Sequence, residues 1–208
     1  MSLLNAERLR RDVIVIGASA GGVEALMALF QELPADMPGA IAVVLHRNPV
    51  HETRLPAVLG RRAPLPVFEP RGGEALKPGS IWVAPRDRHL IVEQNRLHVT
   101  HGPREHHTRP AIDPLFVSAA RDAGSRVVGV VLSGTGDDGV RGLLAIRAAG
   151  GLSLVQDPDE ARYSGMPRSA LCRDDVSAAL PLADLASTLA GLAAGHSMEV
   201  DTPKTAER

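Results

Sequence analysis

Aromatic side chains make up only 2% of this sequence of 208 residues, although 44% of its residues are hydrophobic. A core must therefore be built from Ala, Val, Leu and Ile, which suits a parallel sheet covered by Ala-rich helices. The length fits one domain with a sizeable core. The chain contains no internal repeat and no linker of biased composition.

Three further absences limit the classes of function. Cys172 is the only cysteine, so an internal disulfide and a four-cysteine zinc site are excluded. The 23 basic and 24 acidic side chains give a net charge of -1, which provides no bulk attraction to nucleic acid or to an anionic membrane. No stretch approaches the roughly 18 apolar residues of a membrane span. The first twelve residues carry Arg8, Arg10 and Arg11, but the long apolar segment and cleavage site of a secretory signal do not follow them. We expect a cytoplasmic protein whose domain covers 1–195, with a disordered polar tail at 196–208.

The most informative stretch begins with Val13 to Ile16, four β-branched apolar residues that predict a buried parallel strand. A turn of small residues follows, and apolar residues at helical spacing come directly after it. Within the turn, Gly17-x-Ser19-x-Gly21 matches a serine lifted on a strand-to-helix elbow, a position used for nucleophiles. Two other interpretations stay open from this turn alone. Its N–H groups could bind an anion, or the small residues could only let strand and helix pack, with Ser19 as N-cap.

Two more buried strands end in polar residues. The apolar run Ala40 to Leu45 is followed by His46, and Val127 to Leu132 is followed by a glycine-rich turn that contains Asp137 and Asp138. The carboxyl ends of parallel strands lie at one edge of a sheet, where α/β proteins place their ligands. Taken singly, His46 could be a capping or core residue and Asp138 the N-cap of the next helix.

Together, a serine, a histidine and an aspartate at one edge are the residue types that acyl transfer needs. The hydroxyl attacks, the imidazole takes and returns its proton, and the carboxylate orients the imidazole. The chain order Ser19, His46, Asp138 differs from the serine, aspartate, histidine order of α/β-hydrolases. The sequence therefore predicts a serine hydrolase that is not an ordinary member of that fold, and a non-catalytic module that binds an anion or a partner is the alternative.

The whole pattern predicts an α/β fold with a doubly wound, mostly parallel sheet, helices on both faces and an antiparallel hairpin insertion. The insertion is predicted from three short strands at 81–84, 90–92 and 96–99. Asp113 is expected to N-cap a helix that begins at Pro114. Further elements are predicted at 53–62 (helix), 65–69 and 151–155 (strands), and 167–172 and 182–194 (helices).

Four histidines, His98, His101, His106 and His107, could be metal ligands. They lack a cysteine partner, a fixed helical spacing and a nearby carboxylate motif, so a solvated strand and loop is the favoured interpretation. We therefore predict neither a metal nor a cofactor.

Six short motifs, separated from one another, follow in order along the chain. They are Ile16-Gly-Ala-Ser-Ala-Gly-Gly22, Leu45-His46, Trp82-Val-Ala-Pro-x-Asp-x-His89, Arg109-Pro-x-x-Asp113, Leu132-Ser-Gly-Thr-Gly-Asp-Asp-Gly139 and Gly165-Met-Pro167. They resemble the catalytic domain of chemotaxis protein-glutamate methylesterases, the CheB type, over about residues 12 to 194. The resemblance implies hydrolysis of γ-glutamyl methyl esters on the helices of methyl-accepting chemotaxis receptors, and often deamidation of receptor glutamines.

Carried onto this sequence, the resemblance implies roles for individual residues. Ser19 is the expected nucleophile, His46 its base and Asp138 the orienting carboxylate, with Asp137 as the alternative orienter. His89 matches a further histidine at the rim of the active site.

The oxyanion donors expected from this turn chemistry are the backbone N–H groups of Ala20 and Thr135. The family commonly has methionine where this chain has Thr135, but a backbone N–H survives a side-chain change. The family also usually carries an N-terminal receiver domain, whereas the first predicted strand here begins near residue 12. We therefore expect an excised domain or a stand-alone enzyme whose site is uncovered.

Overall fold

The computed structural model describes residues 9–47, 54–173 and 176–198. A seven-stranded sheet with parallel neighbours forms its centre. Its strands are β1 (Val13–Ala18), β2 (Ala40–Leu45), β3 (Val67–Phe68), β4 (Ser80–Val83), β7 (Val127–Val131), β8 (Leu152–Gln156) and β9 (Ala178–Leu180). A separate antiparallel pair consists of β5 (His89–Glu93) and β6 (Arg96–Thr100).

Six α-helices cover the two faces of the sheet in the described part of the chain. They are α1 (Gly22–Gln31), α2 (Leu55–Leu59), α3 (Ile112–Ala123), α4 (Val140–Ala148), α5 (Gly165–Arg173) and α6 (Leu182–Ala194), with a short 3-10 turn at Gly124–Arg126. Alternate residues of β1 explain the two layers, because successive side chains of a strand point to opposite faces. Ile14 and Ile16 pack with α1, α2 and α6, whereas Val13 and Val15 pack with α3, α4 and α5.

The order of the strands fixes where a site can form. Across the sheet it runs β3-β4-β2-β1-β7-β8-β9, so β2, β4 and β3 lie on one side of β1, whereas β7, β8 and β9 lie on the other. The crevice beyond the carboxyl ends of β1 and β7 is the switch point of such a sheet, the usual ligand position in this architecture. The segments that follow β1, β2 and β7 meet there.

The predicted fold class is confirmed, with a correction to the hairpin insertion. The segment at 80–83 is β4 of the main sheet, parallel to β2, and only β5 and β6 pair antiparallel. Ile81 and Val83 point to the same face of β4 and are fully buried in the cluster that also contains residues of α1 and α2. The sequence pattern also missed β9, a strand of three residues that are not fully buried.

Two helix starts also differ from the expectation. The helix predicted at 53–62 is shorter, Leu55–Leu59. The helix predicted from Pro114 begins at Ile112 with Ala111 as N-cap, so the assignment of Asp113 as the cap of its own helix is wrong. Thr53 and the tail residues from 199 onward lie outside the described residues. None of the described helices is long and apolar enough to cross a membrane.

Candidate active site

Ser19 lies in the turn between β1 and α1. Its backbone N–H donates to the carbonyl of Ser133, 3.0 Å away, which ties this turn to the end of β7. The N-cap of α1 is Gly21, with a φ of 71° and no side-chain cap, so Ser19 is not the cap that one interpretation proposed. The positive φ favours glycine at that position, because L side chains rarely adopt it. Ser19 is therefore held half-buried at the sheet edge with its side chain free of a capping role.

His46 follows β2 directly beside Ser19. Ala18 and Leu45 are partners in the parallel register, and the His46 N–H donates to the Ala18 carbonyl at 3.0 Å. The ring points away from β2 toward α4, where Nε2 lies 2.7 Å from Oδ2 of Asp138. No hydrogen bond joins the Ser19 hydroxyl to His46 among the residues that the structure describes. Nε2 is engaged with the carboxylate, and Nδ1 has no hydrogen-bond partner in the described part of the chain.

Asp138 is a buried carboxylate that accepts three hydrogen bonds. Besides His46, it accepts from the backbone N–H groups of Ile112 at 2.8 Å and Asp113 at 3.0 Å. Burial raises the pKa of Asp138, but these hydrogen bonds and the neighbouring His46 outweigh burial and hold the pKa below its ordinary value. Asp138 therefore stays ionised at neutral pH.

The neighbouring Asp137 points elsewhere. Its carboxylate lies 2.8 Å from Arg173 and 3.5 Å from Nδ1 of His106, and its side chain is 42% exposed. Between the two candidate orienters, the structure thus brings Asp138, and not Asp137, to His46. Asp138 also caps the first turn of α3 rather than α4, whose N-cap is Gly139 without a side-chain cap.

Asp113 makes the reciprocal contacts with α4. Its Oδ1 accepts from the N–H groups of Gly139 at 3.1 Å and Gly142 at 2.8 Å, while its Oδ2 lies 3.0 Å from Nε2 of His106 and 3.3 Å from Nε of Arg141. Burial raises the pKa of Asp113, and the nearby negative charge of Asp138 raises it further. Burial lowers the pKa of His106, but its hydrogen bond to Asp113 and the charges of the surrounding carboxylates bring a net increase.

The expected oxyanion donors lie in the two turns that meet at Ser19. Within the described residues, the N–H groups of Ala20 and Thr135 have no hydrogen-bond partner. The turn after β7 approaches Ser19 closely, because a Cβ built on Gly134 would lie 2.9 Å from the Ser19 Cβ and 2.2 Å from the Met166 Sδ. A glycine is therefore needed at position 134, where the two turns touch and Met166 packs against them.

His89 and Thr108 show how the loop before α3 is held against the site. His89 is buried, with Nε2 at 2.8 Å from the Pro103 carbonyl and Nδ1 accepting from the Ala111 N–H at 3.2 Å. Its ring thus fastens both ends of the loop. That loop places Thr108 Oγ1 3.4 Å from Nε2 of His46. Sequence reasoning missed Thr108 and the contacts of His106, since a loop residue carries no periodic signal.

The cluster that could hold a metal is not the set of histidines that the sequence suggested. Among the described residues, His106, Asp113 and Asp138 each place one ligand atom within 4.8 Å of the others. Both oxygens of Asp138 and Oδ1 of Asp113 already accept backbone N–H groups, and Oδ2 of Asp113 faces the side chains of His106 and Arg141. This arrangement is typical of a hydrogen-bonded network rather than of open coordination positions.

Comparison with known proteins identifies relatives of this chain. Residues 14–189 match the family described as CheB methylesterase. The protein-glutamate methylesterase/protein-glutamine glutaminase 2 of Anaeromyxobacter dehalogenans is 39% identical over 88% of this chain and 54% of its own length. The enzyme of the same description from Trichodesmium erythraeum is 37% identical over 87% of this chain and 53% of its own length. The chain therefore spans about half the length of these curated relatives.

A solved structure extends the agreement to the fold. The crystal structure of the Thermotoga maritima CheB methylesterase catalytic domain superposes with a TM-score of 0.82 at 30% sequence identity. The match covers 87% of this chain and 98% of that domain. The family match covers residues 14–189, and the fold matches that of this catalytic domain. The chain therefore belongs to the CheB methylesterase family.

Proposed function

We propose that this chain hydrolyses γ-glutamyl methyl esters of methyl-accepting chemotaxis receptors, with Ser19 as nucleophile, His46 as general base and Asp138 as orienting carboxylate. The observation that carries the proposal is the 2.7 Å contact between His46 Nε2 and the buried Asp138, on the strand end next to Ser19. The names of the relatives support methyl ester hydrolysis and deamidation of glutamine as activities of such a site.

In the acylation step, the Ser19 hydroxyl attacks the ester carbonyl while its proton moves to His46 Nδ1. Asp138 remains ionised, because its pKa lies below the ordinary value, and it stabilises the imidazolium. The tetrahedral intermediate then collapses, the bond to the methoxy oxygen breaks, and the imidazolium donates its proton to form methanol. A γ-glutamyl ester of Ser19 remains.

In the deacylation step, His46 takes a proton from water, and the oxygen of that water attacks the acyl carbon. The bond to Ser19 Oγ breaks and the proton returns to Ser19, which leaves a free glutamyl carboxylic acid that ionises. With a glutamine substrate, ammonia takes the place of methanol in the first step. The same residues serve both reactions.

The N–H groups of Ala20 and Thr135 are suited to stabilise the oxyanion in both steps. They have no partner in the described structure and belong to the two turns that converge on Ser19. A donor that is fixed in advance costs no reorganisation when charge develops, and removing one such donor typically costs about 3 to 4 kcal/mol. Since the donors are backbone groups, threonine at position 135 supplies the same N–H as methionine would.

The partner in this proposal is the methylated helix of a chemotaxis receptor. A cytoplasmic location, expected from the composition, remains a prediction. A hydrolase that acts on a different ester would use the same three residues, so the substrate must be identified by its product.

Methanol release from methylated receptor tests the proposed function. Ser19→Ala should keep the fold by circular dichroism and release no methanol above background, while the wild type releases it. Ser187→Ala is a matched control, because this exposed serine of α6 bonds only to the Asp184 carbonyl, outside the site. Full activity of Ser19→Ala would refute the nucleophile, and inactivity of the wild type on every methylated receptor would refute the substrate.

A further inference from the structure

Asp113 is fully buried beside the site but takes no part in the proposed chemistry. Its motif, Arg109-Pro-x-x-Asp113, is accounted for neither by the nucleophile nor by the base. The first residues of a helix leave N–H groups without partners, and a carboxylate near them is stabilised by the helix dipole. Asp113 lies in the first turn of α3, but its carboxylate accepts from the N–H groups at the start of α4.

The two helices α3 and α4 are therefore capped crosswise. Asp138, one residue before the α4 cap, holds the first turn of α3, and Asp113, in the first turn of α3, holds the first turn of α4. The helices also pack closely, since a Cβ on Gly142 would lie 2.3 Å from the Phe116 Cβ. Neither helix start can shift without disturbing the opposite carboxylate.

This arrangement matters for catalysis because Asp138 lies in the turn that leads into α4. Gly139 has a φ of 98°, which a residue without a Cβ adopts readily, so the hydrogen bonds around this residue hold the turn in place. The Asp113 carboxylate accepts from Gly139 itself, the residue next to Asp138. If that anchor is lost, Asp138 can move relative to His46, and a displacement of about 1 Å in a catalytic group can cost roughly a hundredfold in rate.

We propose that Asp113 is a positioning residue that acts through Asp138: it fixes the start of α4 and thereby the geometry of the Asp138–His46 pair. The inference rests on the proposed function, because it concerns the rate of that reaction. It predicts that the effect of Asp113 on catalysis disappears when Asp138 can no longer orient His46.

A double-mutant cycle of Asp113 and Asp138 tests this dependence. Asp113→Asn keeps one acceptor oxygen but weakens the charge-assisted bonds, so we expect kcat and the rate of Ser19 labelling by a fluorophosphonate to fall about tenfold. Asp113→Ala removes both bonds and should lower them about a hundredfold, with KM unchanged. In the Asp138→Asn background, each change should alter the labelling rate less than about threefold.

Asp122→Asn is the matched control. It lies on the same helix and also accepts two backbone N–H groups, those of Gln94 and Asn95, but far from His46. It should label at the wild-type rate. Circular dichroism and thermal unfolding establish that each variant is folded, and if Asp113→Ala does not fold, the cycle with Asp113→Asn decides alone.

Equal losses in both backgrounds, or wild-type rates in the folded Asp113 variants, would overturn the inference. A wild type that labels at Ser19 but releases no methanol refutes the proposed function, while the labelling cycle still tests Asp113. A wild type that does not label at Ser19 overturns both.

Discussion

The substitution Asp138→Asn probes the orienting carboxylate with a nearly isosteric side chain. In the native structure, Oδ2 accepts from both His46 Nε2 at 2.7 Å and Ile112 N at 2.8 Å, while Oδ1 accepts from Asp113 N at 3.0 Å. All three neighbours are donors. An amide offers one oxygen and one NH₂ group, so it cannot satisfy both sides.

Each orientation of the new amide has a definite cost. With its NH₂ group toward Asp113, one buried donor loses its acceptor, which costs about 1–3 kcal/mol of stability. With its NH₂ group toward His46, the imidazole must accept at Nε2 and carry its proton on Nδ1, facing Ser19, where it cannot act as a base. In trypsin-type serine proteases the corresponding change lowers turnover about 10⁴-fold, which corresponds to roughly 5.4 kcal/mol in the activation barrier. We expect a loss of this order here.

The assay compares methanol release and fluorophosphonate labelling of folded Asp138→Asn with those of the wild type. Asp137→Asn serves as the control, since this neighbouring carboxylate is paired with Arg173 rather than with His46. We expect the control to stay within a few-fold of the wild type. Labelling of Asp138→Asn within tenfold of the wild-type rate would show that the carboxylate does not orient the base.

Two further substitutions test the packing and the electrostatics around the site. Gly134→Ala should lower activity at least tenfold, because its methyl group would be 2.9 Å from the Ser19 Cβ. Gly102→Ala is the control, since its methyl group meets only ordinary contacts and should leave activity unchanged. Equal activity of the two variants would contradict the packing argument. His106→Gln should destabilise the protein most at low pH: the pKa of His106 is raised, so its contribution is complete below its unfolded value of about 6.5 and is lost as the pH rises through the folded pKa. Chemical denaturation at pH 5.5 and pH 9 checks this, and a gap between wild type and variant that does not change with pH would refute it.

Much of the framework could be predicted because its signals are local in sequence. The continuous apolar run at 40–45 corresponds to β2 residue by residue, and the β-branched run from Val13 lies in β1. A fully buried parallel strand needs apolar residues on both faces, so such runs are hard to mistake. Polar residues directly after these runs then mark the sheet edge, which is why Ser19 and His46 could be placed side by side.

The contacts that arise between distant segments could not be predicted. Asp113 has the sequence context of an N-cap, yet it caps the helix that begins 27 residues later, because α3 and α4 start side by side in space. The sequence shows that a carboxylate favours a helix start but not which helix lies within reach. In the same way, the short apolar segment at 81–84 predicts a hairpin strand, because its pattern does not show that it pairs with β2 instead of with the segment at 90–92. His106 lies in a loop and reaches the carboxylates with a backbone φ of 48°, a conformation that no periodic pattern indicates.

The central claim is that the ends of β1, β2 and β7 together activate one serine. Mapping the site of fluorophosphonate labelling by mass spectrometry tests it most directly, in the wild type and in His46→Ala. We predict one probe per chain on the peptide that contains Ser19, and loss of that label in His46→Ala. A label on another residue, or equal labelling of Ser19 without His46, would contradict the claim.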